Sequence, residues 1–189
     1  MLLFPMKIRL SFITAALWLF ASASIVHAQA LAPAVQSKVE EQIKLITAWA
    51  AEPAVVEAVR AHNASVPPEQ AALTQDKWRA LTVLDPLVRG FTKNPVGQFL
   101  KTKKSDLVTE AFVSDAEGLK VGFIAKTSGW SHKGKPKHDV PMTGKAWQGP
   151  VEVDESSGMQ QLQIAVPVLD GGKPIGSLVV GISVSKLSS

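Results

Sequence analysis

Leu107-Val108-Thr109-Glu110-Ala111-Phe112-Val113-Ser114-Asp115-Ala116-Glu117-Gly118-Leu119-Lys120-Val121-Gly122-Phe123-Ile124-Ala125-Lys126 is where the period of the chain changes. Upstream, apolar residues recur at helical spacing; from Leu107 onward the spacing is two, the signature of strands. Leu107–Ser114 and Leu119–Lys126 read as a hairpin, with Leu119, Val121, Phe123 and Ala125 alternating against Lys120, Gly122, Ile124 and Lys126. Asp115-Ala116-Glu117-Gly118 between them is turn chemistry: Asp bonds its own backbone and Gly accepts a positive φ.

Downstream, the same period continues. Pro150–Asp154 is a short strand and Glu155-Ser156-Ser157-Gly158 a turn. Met159–Leu169 follows, with Leu162, Ile164, Val166 and Val168 on one face and Gln161, Gln163 and Ala165 on the other. Pro167 has no N–H, so it requires an edge or a bulge. After Asp170-Gly171-Gly172-Lys173, the nearly continuous apolar run Ile175–Val184 is the expected centre of the sheet. Between the second and third strands, Thr127–Gly149 is rich in Gly, Pro, Lys and Ser; a connection that long in a compact domain points to function or motion.

Upstream, Ala34–His62 reads as one helix interrupted at Pro53, with Val35, Val39, Ile43, Ile46 and Ala50 on its apolar stripe. Glu69–Leu84 reads as a second helix with Leu73, Trp78, Leu81 and Leu84 inward, ended by Asp85-Pro86. Asn94-Pro95 is an N-cap with proline at the first helical position, opening a short helix that carries Val96, Phe99 and Leu100. Helices first and five antiparallel strands after them make an α+β domain. The helices are expected on one sheet face and the long loop over the other.

The chain has 189 residues and no internal repeat. Its first 28 residues read as a secretory signal: Lys7 and Arg9, an apolar run from Leu10 to Val26, then small residues ending in Val26-His27-Ala28. Cleavage after Ala28 leaves 29–189 as a single exported domain; the alternative is an uncleaved anchor, for which the run is short. Without Lys7 and Arg9 there remain 18 basic residues against 16 acidic, a net of +2, so the basic balance of the whole chain says little about partners. With no cysteine, disulfides, thiolate zinc sites, cysteine nucleophiles and c-type haem attachment are excluded. Charged residues at 19% and hydrophobics at 46% argue against a disordered or strongly nucleic-acid-binding chain. Gly-x-Ser-x-Gly, Walker and His-Glu-x-x-His motifs are all lacking, and no enzyme is read from the sequence.

Several short stretches, taken in order, resemble one family. Phe112–Gly118 resembles the first hairpin of extracytoplasmic Cache (PDC, PAS-like) sensor domains, and Thr127-Ser128-Gly129-Trp130 the start of their ligand loop. Val153–Gly158 is similar to the acidic turn after their third strand. Ala165–Val168, Gly172–Gly176 and Val180–Ile182 resemble their closing hairpin. The resemblance spans about Ala34 to Leu187 and implies long N-terminal helices packed on a five-stranded antiparallel PAS-like sheet. It also implies a small metabolite bound between sheet and loop, signal transduction through a membrane receptor or histidine kinase, and a periplasmic location. The chain departs from the family's amino-acid-binding branch: it has no tyrosine, and no arginine lies in the loop. No span follows the sheet, so a free-standing domain that acts with a separate receptor or kinase is expected.

The loop gathers His132, Lys133, Lys135, Lys137, His138 and Asp139. The candidate ligand-binding residues are Trp130 as a pocket wall, His132, Lys133 and Lys137 as donors to an anion, Gln163 on the polar strand face, and Asp154, carried over from the family's acidic position. Each has an ordinary reading beside it: a solvated basic loop, a core indole, a turn-capping Asp. Two histidines six apart fit no recognised metal spacing, so no metal and no cofactor is expected. The expected ligand is a small anionic metabolite; the alternative is a structural or interaction protein of the same fold with no ligand.

Overall fold

The structure is a computed structural model and describes residues 31–153 and 160–188. The signal segment, Asp154 and the Glu155–Gly158 turn lie outside the described residues. Two proline-started helices open the chain, α1 (Pro33–Ala50) and α2 (Pro53–Ala64). The expected break at Pro53 is there, and the proline serves as the first residue of α2, where its missing N–H costs nothing. Val39, Ile46 and Ala50 of α1 and Val55, Val59 and His62 of α2 are the buried positions.

The expected second helix over Glu69–Leu84 is instead two short ones, α3 (Pro68–Ala71) and α4 (Gln75–Ala80). Thr74 divides them by accepting the N–H of Lys77 with its hydroxyl, an N-cap in mid-pattern. Trp78 is fully buried, whereas Leu84 is 76% exposed rather than inward. Asp85-Pro86, read as a stop, also starts α5 (Pro86–Lys93): the Asp85 carboxylate accepts the N–H of Leu87. In α6 (Pro95–Thr102), Asn94 caps the first turn through the N–H of Gly97 at 2.8 Å. Its amide also donates to the carbonyl of Val121 at 2.7 Å, tying α6 to the edge of the sheet.

The sheet contains β1 (Val108–Asp115), β2 (Lys120–Phe123), β3 (Trp147–Val153), β4 (Gln160–Asp170) and β5 (Lys173–Ser183), antiparallel and ordered β2-β1-β5-β4-β3. β5 is central, as its apolar run predicts. Pro167 sits opposite Ser177 of β5, while the β3 pairing ends at Ala165, so no ladder bond is required of it on that side. β3 begins three residues earlier than expected, with Trp147 inside it. The remainder of the expected loop is structured too, holding α7 (Pro136–Asp139) and a 3-10 turn at Pro141–Thr143. The chain closes with α8 (Val184–Ser188).

The strands' alternation separates two cores, except that a register shift opposite Val113 and Ser114 puts Val121 and Phe123, expected on one face of β2, on opposite ones. Val113, Val121, Leu162, Ile164, Val166, Leu178, Val180 and Ile182 pack on α1, α2 and α6. On the opposite face Phe112, Phe123, Ala165 and Val179 meet Trp78, Val88, Phe91 and Trp130. The α+β expectation of helices on one face and the loop on the other therefore holds, with α4 and α5 added to the loop side. No helix among the described residues is long and apolar enough to cross a membrane.

Candidate functional site

The β1–β2 turn fixes where the 127–146 segment rests. Asp115 Oδ1 accepts the N–H groups of Glu117 and Leu119, which closes the turn. Gly118 has φ 75°, and a Cβ there would stand 2.4 Å from the amide nitrogen of Lys133. Only glycine leaves room for the segment to lie on the turn, and the N–H of His132 donates to the Gly118 carbonyl at 3.0 Å. Upstream, Gln75 of α4 brackets the segment, donating to the Ser128 carbonyl at 2.8 Å and accepting the Trp130 N–H at 2.9 Å. The Trp78 indole donates to the Thr127 carbonyl at 2.8 Å.

Beneath the segment the register aligns Glu110, Phe112 and Ser114 of β1 with Gly181, Val179 and Ser177 of β5, and these with Gln163, Ala165 and Pro167 of β4. Lys120 stands beside Ser114. The His132 ring stacks on Phe112 with centroids 4.7 Å apart. Lys120 Nζ lies 3.4 Å above the centre of the same ring and is hydrogen-bonded to His132 Nδ1. Lys137 donates to Gln163 Oε1 at 2.9 Å, and the Gln163 amide donates to the Glu110 carboxylate. His138 donates from Nε2 to the Ala116 carbonyl at 3.3 Å and meets the Ser177 hydroxyl through Nδ1 at 2.9 Å, and burial lowers its pKa, which favours the neutral imidazole. Ser114 Oγ, between these groups, is buried without a hydrogen-bond partner.

The electrostatics follow from this packing. Burial and the nearby charges of Lys137 and Lys135 push Lys120 well below the usual lysine range, with Glu110 opposing them. Burial and Lys120 push His132 down to about 2, so it is neutral. Burial also lowers Lys137, against Glu110. A fully buried lysine with no carboxylate in hydrogen-bond contact is rare, since a desolvated charge demands a partner.

Of the residues singled out by sequence, the fold brings His132, Lys137 and Gln163 together around Phe112. Trp130 stands apart, buried among Trp78 and Phe91 with centroids 5.2 and 5.8 Å away. Lys133 is exposed and paired with Glu117 on the turn. Asp154 lies outside the described residues. Sequence reasoning did not single out Lys120, because strand alternation gives a lysine no reason to point inward. It also missed Glu110 and Ser114, which share that face.

At the edge of this cluster Trp147, Gly149, Pro150, Glu152, Gln161 and Gln163 line a cleft of about 10 Å³, room for one water. Larger hollows lie among the helices: about 440 Å³ between Glu69, Gln70, Leu87, Phe91 and Asn94, and about 270 Å³ beside it, reaching His62. His62 bonds Asp115 and Gln70 at 2.8 Å each; burial works against its charge, but these bonds outweigh it and raise its pKa. The signal for it was its place on the stripe Val55, Val59, His62. Among the described residues no group of His, Asp and Glu is arranged to hold a metal.

No family model and no curated protein matches the sequence. Solved structures similar to it include the sensor domain of the histidine kinase DctB from V. cholerae, at TM-score 0.43 and 14% identity over 80% of this chain and 55% of that one. Two others are ligand-binding domains: the amino acid chemoreceptor PctC of Pseudomonas aeruginosa PAO1 in complex with GABA (TM-score 0.44, 16% identity, 82% of this chain and 61% of that one) and the chemoreceptor CtaA of Pseudomonas fluorescens in complex with L-leucine (TM-score 0.46, 16% identity, 82% and 53%). The chain thus spans little more than half the length of these structures.

Proposed function

We propose that this chain is an exported, Cache-type sensor domain that binds a small anionic metabolite beneath the 127–146 segment and acts with a membrane receptor or histidine kinase. The supporting observation is the convergence of Lys120, Lys137, His132 and His138 on one buried patch of the sheet, opposed there by Glu110. Lys137 and the N–H donors of Lys120 and His132 can hydrogen-bond a carboxylate there, and a hydrogen bond to a charged group contributes about 1.5–3 kcal/mol. The candidate contacts are His132, Lys137 and Gln163, with Asp154 for a ligand's donor end. Trp130 supports the segment from behind, and Lys133 stands at the outer rim.

One observation favours the second reading, an interaction protein of this fold without a ligand: the patch is filled by the protein's own side chains, and its cleft has room for no more than a single water. A thermal-shift screen of carboxylates beside neutral and cationic metabolites separates the two. A ligand that binds only the native state adds about 2.7 kcal/mol at 100 times its Kd. Stabilisation confined to carboxylates is expected; a melting temperature indifferent to every compound supports the second reading.

A further inference from the structure

Lys120 is the least expected residue of the fold. It has no exposed surface, its ammonium position lies on the face of Phe112, and its hydrogen-bond partner is a neutral imidazole rather than an acid. A second lysine, Lys137, stands over the same ring, 6.0 Å from its centre, and is held by the uncharged Gln163. Desolvation beside another cation is the arrangement that keeps a lysine as free amine, and a free amine is a nucleophile toward carbonyl carbon. The groups facing Lys120 are His132 and Lys135 of the segment, Lys137 and His138 of α7, and Glu110 and Ser114 of β1. Of these, the lysines disfavour its charge and Glu110 favours it. His138 is fixed between Ser177 and Ala116, and Ser114 Oγ is unpartnered.

We propose that Lys120 captures a small 2-oxo acid as an imine, with Lys137 holding its carboxylate. This rests on the reading that ligands enter beneath the 127–146 segment, and adds the ligand's class and its bond to the protein. Lys120 has no exposed surface and the cleft beside Gln163 has room for only one water, so capture requires the 127–146 segment to lift from the sheet. The Lys120 nitrogen lone pair forms the C–N bond, and the carbonyl π pair moves onto oxygen. One proton passes from the resulting ammonium nitrogen to that oxygen, giving a carbinolamine. The second amine proton follows as the hydroxyl leaves as water, and the C=N bond closes. No oxidant or reductant is consumed, and the step reverses by hydrolysis. Ser114 Oγ is placed to give the enclosed oxygen a hydrogen-bond partner during this exchange.

Borohydride trapping with pyruvate as probe tests the step on the intact exported chain. Peptide mass mapping after reduction is expected to show one carboxyethyl group on Lys120, in excess over exposed Lys133 by about tenfold for each unit by which the Lys120 pKa lies lower. Lys120→Met abolishes that adduct, and Lys137→Gln reduces it at a given pyruvate concentration; unfolding the chain first erases the preference. Because the preference is read within one sample of wild-type protein, a variant that fails to fold does not spoil the test. Labelling spread evenly over surface lysines, or no label on Lys120, overturns the imine. Acetate, which has no carbonyl to condense, separates the two proposals: stabilisation by acetate without any Lys120 adduct leaves anion binding standing and removes the covalent step.

Discussion

Where α1 and α2 cover the sheet, the strands offer mainly aliphatic side chains: Ile164, Val166, Leu178, Val180 and Ile182 have no exposed surface, and the buried acid there, Asp115, is paired with His62 of α2 at 2.8 Å. Where the 127–146 segment covers it, the same strands with β1 and β2 bury Ser114, Lys120, Ser177, His132 and His138 beside Phe112. The first arrangement follows the rule that apolar burial drives folding, at about 25 cal/mol per Å². The second breaks it, since a buried amine and an unpartnered hydroxyl each cost free energy. The buried amine and the unpartnered hydroxyl lie under one segment, whereas the buried Asp115 on the helix face has its partner.

The sharpest way to test this contrast is to empty a position on the aliphatic face. Ile164→Ala or Ile182→Ala is expected to lower unfolding stability by about 2–5 kcal/mol in urea titrations, with no dependence on pH. The loop face is expected to respond to pH instead. His132 is pushed down to about 2 in the folded state, so the unfolded chain binds the proton more readily. Stability is therefore intact above the unfolded histidine pKa and is lost as pH falls below it, by about 2 kcal/mol between pH 7 and pH 5. Comparing the wild type with His132→Asn over that range isolates the effect from the carboxylates, and equal slopes would remove the imidazole from the account.

Lys120 carries the same sign at higher pH. Its folded pKa lies below the unfolded value, so stability falls as pH drops from the usual lysine range toward neutrality. Lys120→Met, which keeps the stem and drops the amine, is expected to raise stability at pH 7 in urea titrations. A destabilised variant would show that the amine is held for packing. The smallest effect belongs to Lys133→Ala: its ion pair with Glu117 is solvated, and urea titration is expected to show no change.

The aliphatic face was legible in the sequence because period two and period 3.6 report apolar burial directly. Leu162, Ile164, Val166 and Val168 on β4, and Val39, Ile46 and Ala50 on α1, were placed by spacing alone. The loop face was not, because its selecting forces are tertiary. Lys120 reads as the outward half of an alternating strand, but the register shift opposite Val113 and Ser114 turns Val121 to the helix face, and the segment packed on Gly118 encloses the side on which Lys120 meets Phe112. Trp130 reads as a loop aromatic and becomes core because α4 and α5, one interrupted at Thr74 and the other unforeseen after Asp85, bring Trp78 and Phe91 to it. Local capping residues decided both, and they act below the length over which periodicity speaks.

The central claim is that a small anion binds beneath the 127–146 segment rather than in the roomier hollow among the helices. The direct measurement is the melting shift produced by the most stabilising carboxylate in wild type, in Lys137→Gln and in Gln70→Ala, the last at a residue that lines the helix hollow. The account predicts affinity reduced about tenfold or more in Lys137→Gln, the worth of one hydrogen bond to a charged group, and unchanged in Gln70→Ala. Full affinity in Lys137→Gln, loss in Gln70→Ala, or no carboxylate shifting the wild type at all would contradict it.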